Sequence, residues 1–177
     1  YIEDGIADTY PRPRIILNED ILLAMGSKMR YIFEALGAIG IDASLIGANK
    51  VANGKKMIQI MDEYKKGESN IFVFPEGELC ILEEIPLSKR VQPGIANMIA
   101  KLVSETDVCV VPVGFAYNKS QKNLSAIQIG EPIMYEKGSE CNKDDILQTI
   151  CNELESTVTK AKENVPESSL GDNAVQV

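Results

Sequence analysis

Apolar and polar positions in this chain follow two periods in alternation. Ile15-Ile16-Leu17 is a short apolar run that suits a strand, and Asn18-Glu19-Asp20 after it supplies capping residues for a brief helix through Met25. Ser27 precedes a second helical stretch, Lys28 to Leu36, in which Met29, Ile32, Phe33 and Leu36 recur at helical spacing before Gly37 stops it. Ala38 to Ile41 is a second apolar strand, with Asp42 at its exit. Asn53-Gly54 breaks the polar loop that follows. Met57, Ile58, Ile60, Met61 and Tyr64 then mark one face of a helix ending at Lys65-Lys66-Gly67, and basic residues followed by glycine favour a helix carboxyl end. Ile71 to Phe74 is a continuous β-branched and aromatic run, as expected of a strand buried on both faces, and it halts at Pro75-Glu76-Gly77.

Beyond Cys80, residues 81–91 mix apolar and charged positions without a clear period and include Lys89-Arg90. Pro93-Gly94 opens a helix striped by Ile95, Met98, Ile99, Leu102 and Val103. Val108 to Val113 reads as a further core strand, and Pro112 within it predicts that the chain bends away there. Ser125 to Ile129 suits an edge strand, and Asp144 to Glu163 an amphipathic helix on Ile146, Ile150, Leu154 and Val158. The first 14 residues read as a linker. Strands alternating with helices predict an α/β fold, a mainly parallel central sheet flanked by helices, in a single domain over residues 1–165 with a polar, disordered tail at 166–177.

Composition narrows the function. A chain of 177 residues, 45% hydrophobic, is long enough for a core that needs no covalent staples. Acidic residues outnumber basic ones by 26 to 18, which argues against a nucleic-acid partner. Cys80, Cys109, Cys141 and Cys151 form no C-x-x-C pair, and the chain has no histidine, so no mixed-ligand zinc site and no metal is expected. Reduced thiols fit a cytoplasmic or stromal compartment. No apolar run reaches the length of a membrane span.

The most informative stretch is Asn70 to Cys80. A strand that ends at proline, carboxylate and glycine delivers Glu76 to the carboxyl edge of a sheet, where open α/β sheets bind ligands. The same residues also read as a plain turn in which Glu76 caps the backbone. Cys80, two residues from Glu78, invites a thiol-nucleophile reading, but the nearby carboxylates and the lack of histidine argue against it.

Phe74-Pro75-Glu76-Gly77, preceded by a helix ending in Lys-Lys-Gly, resembles a motif of the glycerolipid acyltransferases typified by lysophosphatidic acid acyltransferase. Leu36-Gly-Ala-Ile-Gly-Ile-Asp42 resembles that family's glycine-containing strand. Gln92-Pro-Gly-Ile-Ala96 and Val111-Pro-Val113 resemble the approach to its last motif and the motif itself, so the likeness covers residues 1 to 135 in order. It implies transfer of a fatty acyl group from an acyl-thioester, coenzyme A or acyl carrier protein, to a glycerolipid or lysophospholipid hydroxyl at a membrane surface, with no cofactor. It assigns substrate binding to Phe74, Pro75, Glu76 and Gly77. Glu3 or Asp4 stands where the carboxylate of the family's histidine–aspartate motif is expected, with the histidine before Tyr1.

The departures are specific. Ala43 and Leu79 occupy positions where the family carries arginine, and Glu78 replaces a threonine. Lys89 and Arg90 are either substitutes for those cations or a solvated surface pair. Without histidine the chain lacks the usual base for the hydroxyl proton, since an unperturbed carboxylate is too weak at neutral pH. The 177 residues are therefore expected to be nearly inactive alone, and a catalytically inactive relative that binds lipid or protein is the alternative.

Overall fold

The computed structural model describes residues 11–41, 48–76, 87–118 and 123–165. Along the chain these form β1 (Arg12–Asn18), α1 (Glu19–Ala24), α2 (Gly26–Ala35), β2 (Ala38–Ile41), α3 (Ala48–Lys65), β3 (Ser69–Val73), α4 (Leu87–Arg90), α5 (Gly94–Val103), β4 (Val108–Val110), β5 (Val113–Asn118), β6 (Asn123–Ile129), β7 (Ile133–Tyr135) and α6 (Lys143–Glu163). The fold mixes helix and strand, and its contacts gather into two compact units, Tyr1–Val108 with Tyr135–Leu147, and Cys109–Met134 with Gln148–Val177. Among the described residues no helix is long and apolar enough to cross a membrane.

The first unit is built on a three-stranded parallel sheet in the order β2-β1-β3. Ile15 pairs with Ala38 on one side and Phe72 on the other, and Ile16 with Ile39 and Val73. Sequence pattern placed residues 12–14 in a linker, whereas β1 starts at Arg12. Proline in a central strand normally removes a ladder bond. Here it does not. Strand amides point alternately to the two sides; the Arg12 amide donates to Glu68 O at 2.9 Å on the β3 side, and the Ile15 amide to Gly37 O at 3.1 Å on the β2 side. Pro13 therefore faces the β2 side ahead of the β1–β2 ladder, which begins at Ile15 opposite Ala38.

Side chains alternate likewise. Leu17 and Ile15 point to one face and pack with Leu22 of α1, Met25 at the junction of α1 and α2, Phe33 of α2 and Ala38 of β2. Arg14, on the other face, donates from Nε to Glu63 Oε2 of α3 at 2.6 Å. That contact holds the Glu63 carboxyl below its ordinary value of 4.5. Asn18 caps α1 as expected, its side chain accepting from the Asp20 amide at 3.0 Å. Of the stripe expected on α2, Phe33 packs on the core while Met29, Ile32 and Leu36 stay exposed. Asn53-Gly54, expected to break a loop, lies inside α3, with Asn53 buried. A glycine costs an exposed helix position only about 1 kcal/mol, and the face of Ile60 and Met61 is buried enough to outweigh it.

In the second unit the strand expected over 108–113 divides at Pro112. β4 pairs with β7, β5 with β6, and Pro112 O accepts from the Gly130 amide at 2.8 Å. β5 and β6 run antiparallel, with Val113 opposite Ile129 and Phe115 opposite Ile127. Gly114 meets α6 so closely that a Cβ there would stand 2.7 Å from Thr157 O. This close approach explains the burial of Thr157; α6 also buries Cys151 and Ala161 in addition to the expected Ile146 and Ile150. Burial also pushes the Cys151 thiol up, with Glu155 adding to the effect.

Gly37 and Gly67 both adopt positive φ, but only Gly37 meets backbone: a Cβ would land on the Pro13 carbonyl oxygen, while Gly67 faces open space. Gly37→Ala is expected to lower the stability read from urea unfolding by about 3–5 kcal/mol and Gly67→Ala by about 1–2 kcal/mol. Equal losses would contradict the close β1–Gly37 approach. Because the Glu63 carboxyl is depressed, the stability it contributes is fully present above 4.5 and is lost as pH falls through the lower folded value. Glu63→Gln is thus expected to cost about 1–2 kcal/mol at pH 7, with the difference from wild type shrinking as pH drops below 4.5.

Candidate functional site

Three parallel strands bring three carboxyl ends, Asn18, Ile41 and Val73, to one edge of the sheet. The chain leaves β1 for β2 on one side and then crosses to β3 on the other, so the direction of winding reverses between β1 and β3. Helices diverge from such a reversal, and the crevice they leave at the carboxyl edge is where open parallel sheets hold ligands. Since Ile16 is level with Val73, the residues after Val73 leave the sheet beside Asn18 and Glu19. Phe74, Pro75 and Glu76 therefore stand at this carboxyl edge.

Glu76 is anchored there. Arg90, the last residue of α4, donates from Nη1 to Glu76 Oε2 at 2.8 Å, with the two side chains 20% and 27% exposed. The Gln92 amide donates to Pro75 O at 2.8 Å, and its side chain makes a long 3.5 Å bond to Glu76 O. The segment entering α5 is thus tied to the turn that follows β3. Arg90 Nε is buried and has no hydrogen-bond partner among the described residues. On the far side of the edge, Lys56 Nζ donates to Gly40 O at 2.7 Å and lies 3.9 Å from Glu19 Oε2.

The strand leading to the site is not buried on both faces as its sequence suggested. β3 is an edge strand, and α1 and α2 pack over β1 and β2, which leaves Phe72 53% and Phe74 55% exposed. An ion pair and two half-exposed aromatic rings together give this region an apolar surface and a polar end.

The residues singled out from sequence fall into three groups. Phe74, Pro75, Glu76 and Arg90 are brought together. Lys89 is exposed, so the solvated reading of the basic pair describes Lys89, whereas Arg90 is turned inward onto Glu76. Glu3, Asp4, Gly77 and Cys80 lie outside the described residues. Gln92 and the exposed ring of Phe72 were not found from sequence. Gln92 is 16 residues from Glu76 with no period linking them, and the exposure of Phe72 follows from strand order, which no local signal encodes.

Among the described residues no cluster of histidine, cysteine, aspartate or glutamate is arranged to hold a metal ion. A depression of about 480 Å³ lies elsewhere, lined by Lys55, Ile58, Gln59, Asp62, Glu63, Lys66 and Glu68. Its Glu63 and Asp62 carboxylates are engaged by Arg14 and Lys65, and none of the residues predicted for a site lines it. Compared with protein-family models, with curated proteins and with solved structures, the chain finds no match.

A double-mutant cycle on Glu76→Gln and Arg90→Gln is expected to give a coupling of about 1–2 kcal/mol in unfolding free energy, because either single change leaves the partner's charge half-buried and unpaired. Additive losses, within about 0.5 kcal/mol, would show that the pair does not form in solution.

Proposed function

We propose that the chain is an acyltransferase-like domain of glycerolipid metabolism, in which Glu76 receives the hydroxyl-bearing acceptor. The observation that carries this reading is the coincidence of the Phe74-Pro-Glu-Gly77 sequence with the carboxyl edge of the parallel sheet, at the point where its winding reverses. The half-exposed Phe72 and Phe74 add the apolar surface that an acyl chain needs beside that carboxylate. The finer architecture belongs to the same proposal: the parallel sheet is the central sheet of one domain over residues 1–165, which lies peripherally on a cytoplasmic or stromal membrane surface.

The reaction is the attack of a glycerol hydroxyl on an acyl-thioester carbonyl. A base takes the hydroxyl proton as the new C–O bond forms, and the C–S bond then breaks to release the carrier thiol, which takes up a proton. Glu76 orients the acceptor hydroxyl, Gly77 leaves room for the backbone to approach it, and Glu3 or Asp4 is the carboxylate that would orient a base. These 177 residues hold no histidine, so they bind substrates without supplying that base. The same lack of histidine favours a second reading, a catalytically inactive domain that binds lipid or a protein.

The test is binding rather than turnover. The chain is expected to bind a non-reactive thioether analogue of acyl-coenzyme A and an uncharged monoacylglycerol, both saturably. Glu76→Ala is expected to weaken monoacylglycerol about tenfold, the loss of one hydrogen bond to a charged group, and to leave the acyl analogue unchanged. Failure to bind either ligand would overturn the reading, and turnover of acyl-thioester by these residues at ordinary enzymatic rates would overturn the argument that histidine is required.

A further inference from the structure

We infer that the outer face of the β5–β6 hairpin is an interface for a second copy of this chain, packed sheet face to sheet face. Burial alternates along β5: Pro112, Gly114 and Ala116 are buried, whereas Val111, Val113 and Phe115 are exposed. β6 repeats the pattern, with Ala126 and Gln128 half-buried and Ile127 and Ile129 exposed. The covered side belongs to α6, since a Cβ on Gly114 would stand 2.7 Å from Thr157 O, and Asn164 Nδ2, just beyond that helix, donates to Gln128 Oε1 at 3.2 Å. An antiparallel sheet with one covered face ordinarily turns its large apolar residues to that face and its polar ones to water. This hairpin does the reverse. Small residues meet the helix, while Val113 opposite Ile129 and Phe115 opposite Ile127 form an apolar layer, 36% to 65% exposed, which Val111 extends.

Charge and area identify what covers this layer. Neither strand holds a charged residue, although charged side chains make up 25% of the chain. A charged surface laid on the face would bury its charges without partners, so the complement is itself free of charge and, to match a pleated layer, sheet-like. The same face of a second copy meets both conditions, and a twofold contact sets the Val, Phe and Ile side chains of one layer among those of the other at the usual sheet spacing of about 10 Å. Edge-to-edge pairing would leave all of these side chains in water. Their exposed fractions amount to roughly 400 Å² per copy, a contiguous patch rather than scattered surface residues. Two such faces with their rims bury about 800–1,000 Å² in total, short of the roughly 1,200 Å² at which stable complexes begin, so the dimer is weak and forms at high concentration. The formal charge of −8 on each copy adds a repulsion that salt screens. Dimerisation through this face requires nothing of the acyl-transfer reading.

The experiment is sedimentation equilibrium of the full 177-residue chain, run beside methyl spectra over the same range of protein concentration. A reversible monomer–dimer equilibrium is expected, with a Kd on the order of 100 µM that tightens several-fold from low to moderate salt. The methyl resonances of Val113, Ile127 and Ile129 are expected to shift along the dimer isotherm, and those of Val51 on α3, 62% exposed, to stay in place. Threonine keeps strand propensity while adding a hydroxyl to the face, so Ile127→Thr combined with Ile129→Thr is expected to weaken the dimer at least about tenfold, and Val51→Ala less than about twofold. A chain that stays monomeric to about 1 mM, a dimer whose formation leaves these methyls unmoved, or a dimer that the threonine pair leaves intact overturns the assignment. So does a monomer whose Ile127 and Ile129 methyls respond to phosphatidylcholine vesicles, because lipid is then the occupant. The wild-type methyl shifts decide even where a variant fails to fold.

Discussion

The position of β1 between β2 and β3 is the constraint from which the rest of the first unit follows. A strand in the middle of a parallel sheet has to satisfy hydrogen bonds on both sides and present a packed face above and below. β1 does so with few residues. Its alternate amides serve Glu68 on one flank and Gly37 on the other, and Pro13 falls ahead of the ladder with β2. Ile15 and Leu17 meet α1 and α2, while Arg14 reaches α3 through Glu63. Placing β1 centrally also makes the chain reverse its winding, and that reversal falls between β1 and β3, where the chain leaves the sheet toward Glu76.

The site inherits its character from this arrangement. A carboxylate delivered by Pro75 to the sheet edge would project into solvent if nothing met it. Arg90 meets it, and a short helix of four residues, α4, is enough to supply the contact. The pair is neutral, partly buried and lopsided, since one carboxylate oxygen takes one guanidinium nitrogen and leaves Nε unfilled. Phe72 and Phe74 are uncovered on the edge strand for an equally simple reason: the helical hairpin α1–α2 is spent on β1 and β2. An ion pair and an apolar surface thus lie side by side without any element specialised for either.

Much of this was legible from residue order. Asn18 before two acids announces the cap of α1, Gly67 after two lysines announces the end of α3, and Pro112 divides a strand as proline should. The stripe of α5 predicted Ile99, Leu102 and Val103 as core. What escaped was set by tertiary partners. Residues 12–14 join the sheet because β3 extends to meet them, Gly54 stays helical because Ile60 and Met61 are buried, and α6 buries Thr157 because glycines in the β5–β6 hairpin leave it room. The halt of a strand at Pro75 singled out Glu76, but only the fold pairs it with Arg90, 14 residues away, and separates Arg90 from its exposed neighbour Lys89.

Interstrand nuclear Overhauser effects between backbone protons decide whether β1 lies between β2 and β3 and so sets Glu76 at the reversal of the sheet. Ile15 is expected to show them to both Ala38 and Phe72, and Ile16 to both Ile39 and Val73. Effects linking β2 directly to β3, with β1 at an edge, would rule this order out and move Glu76 away from the reversal.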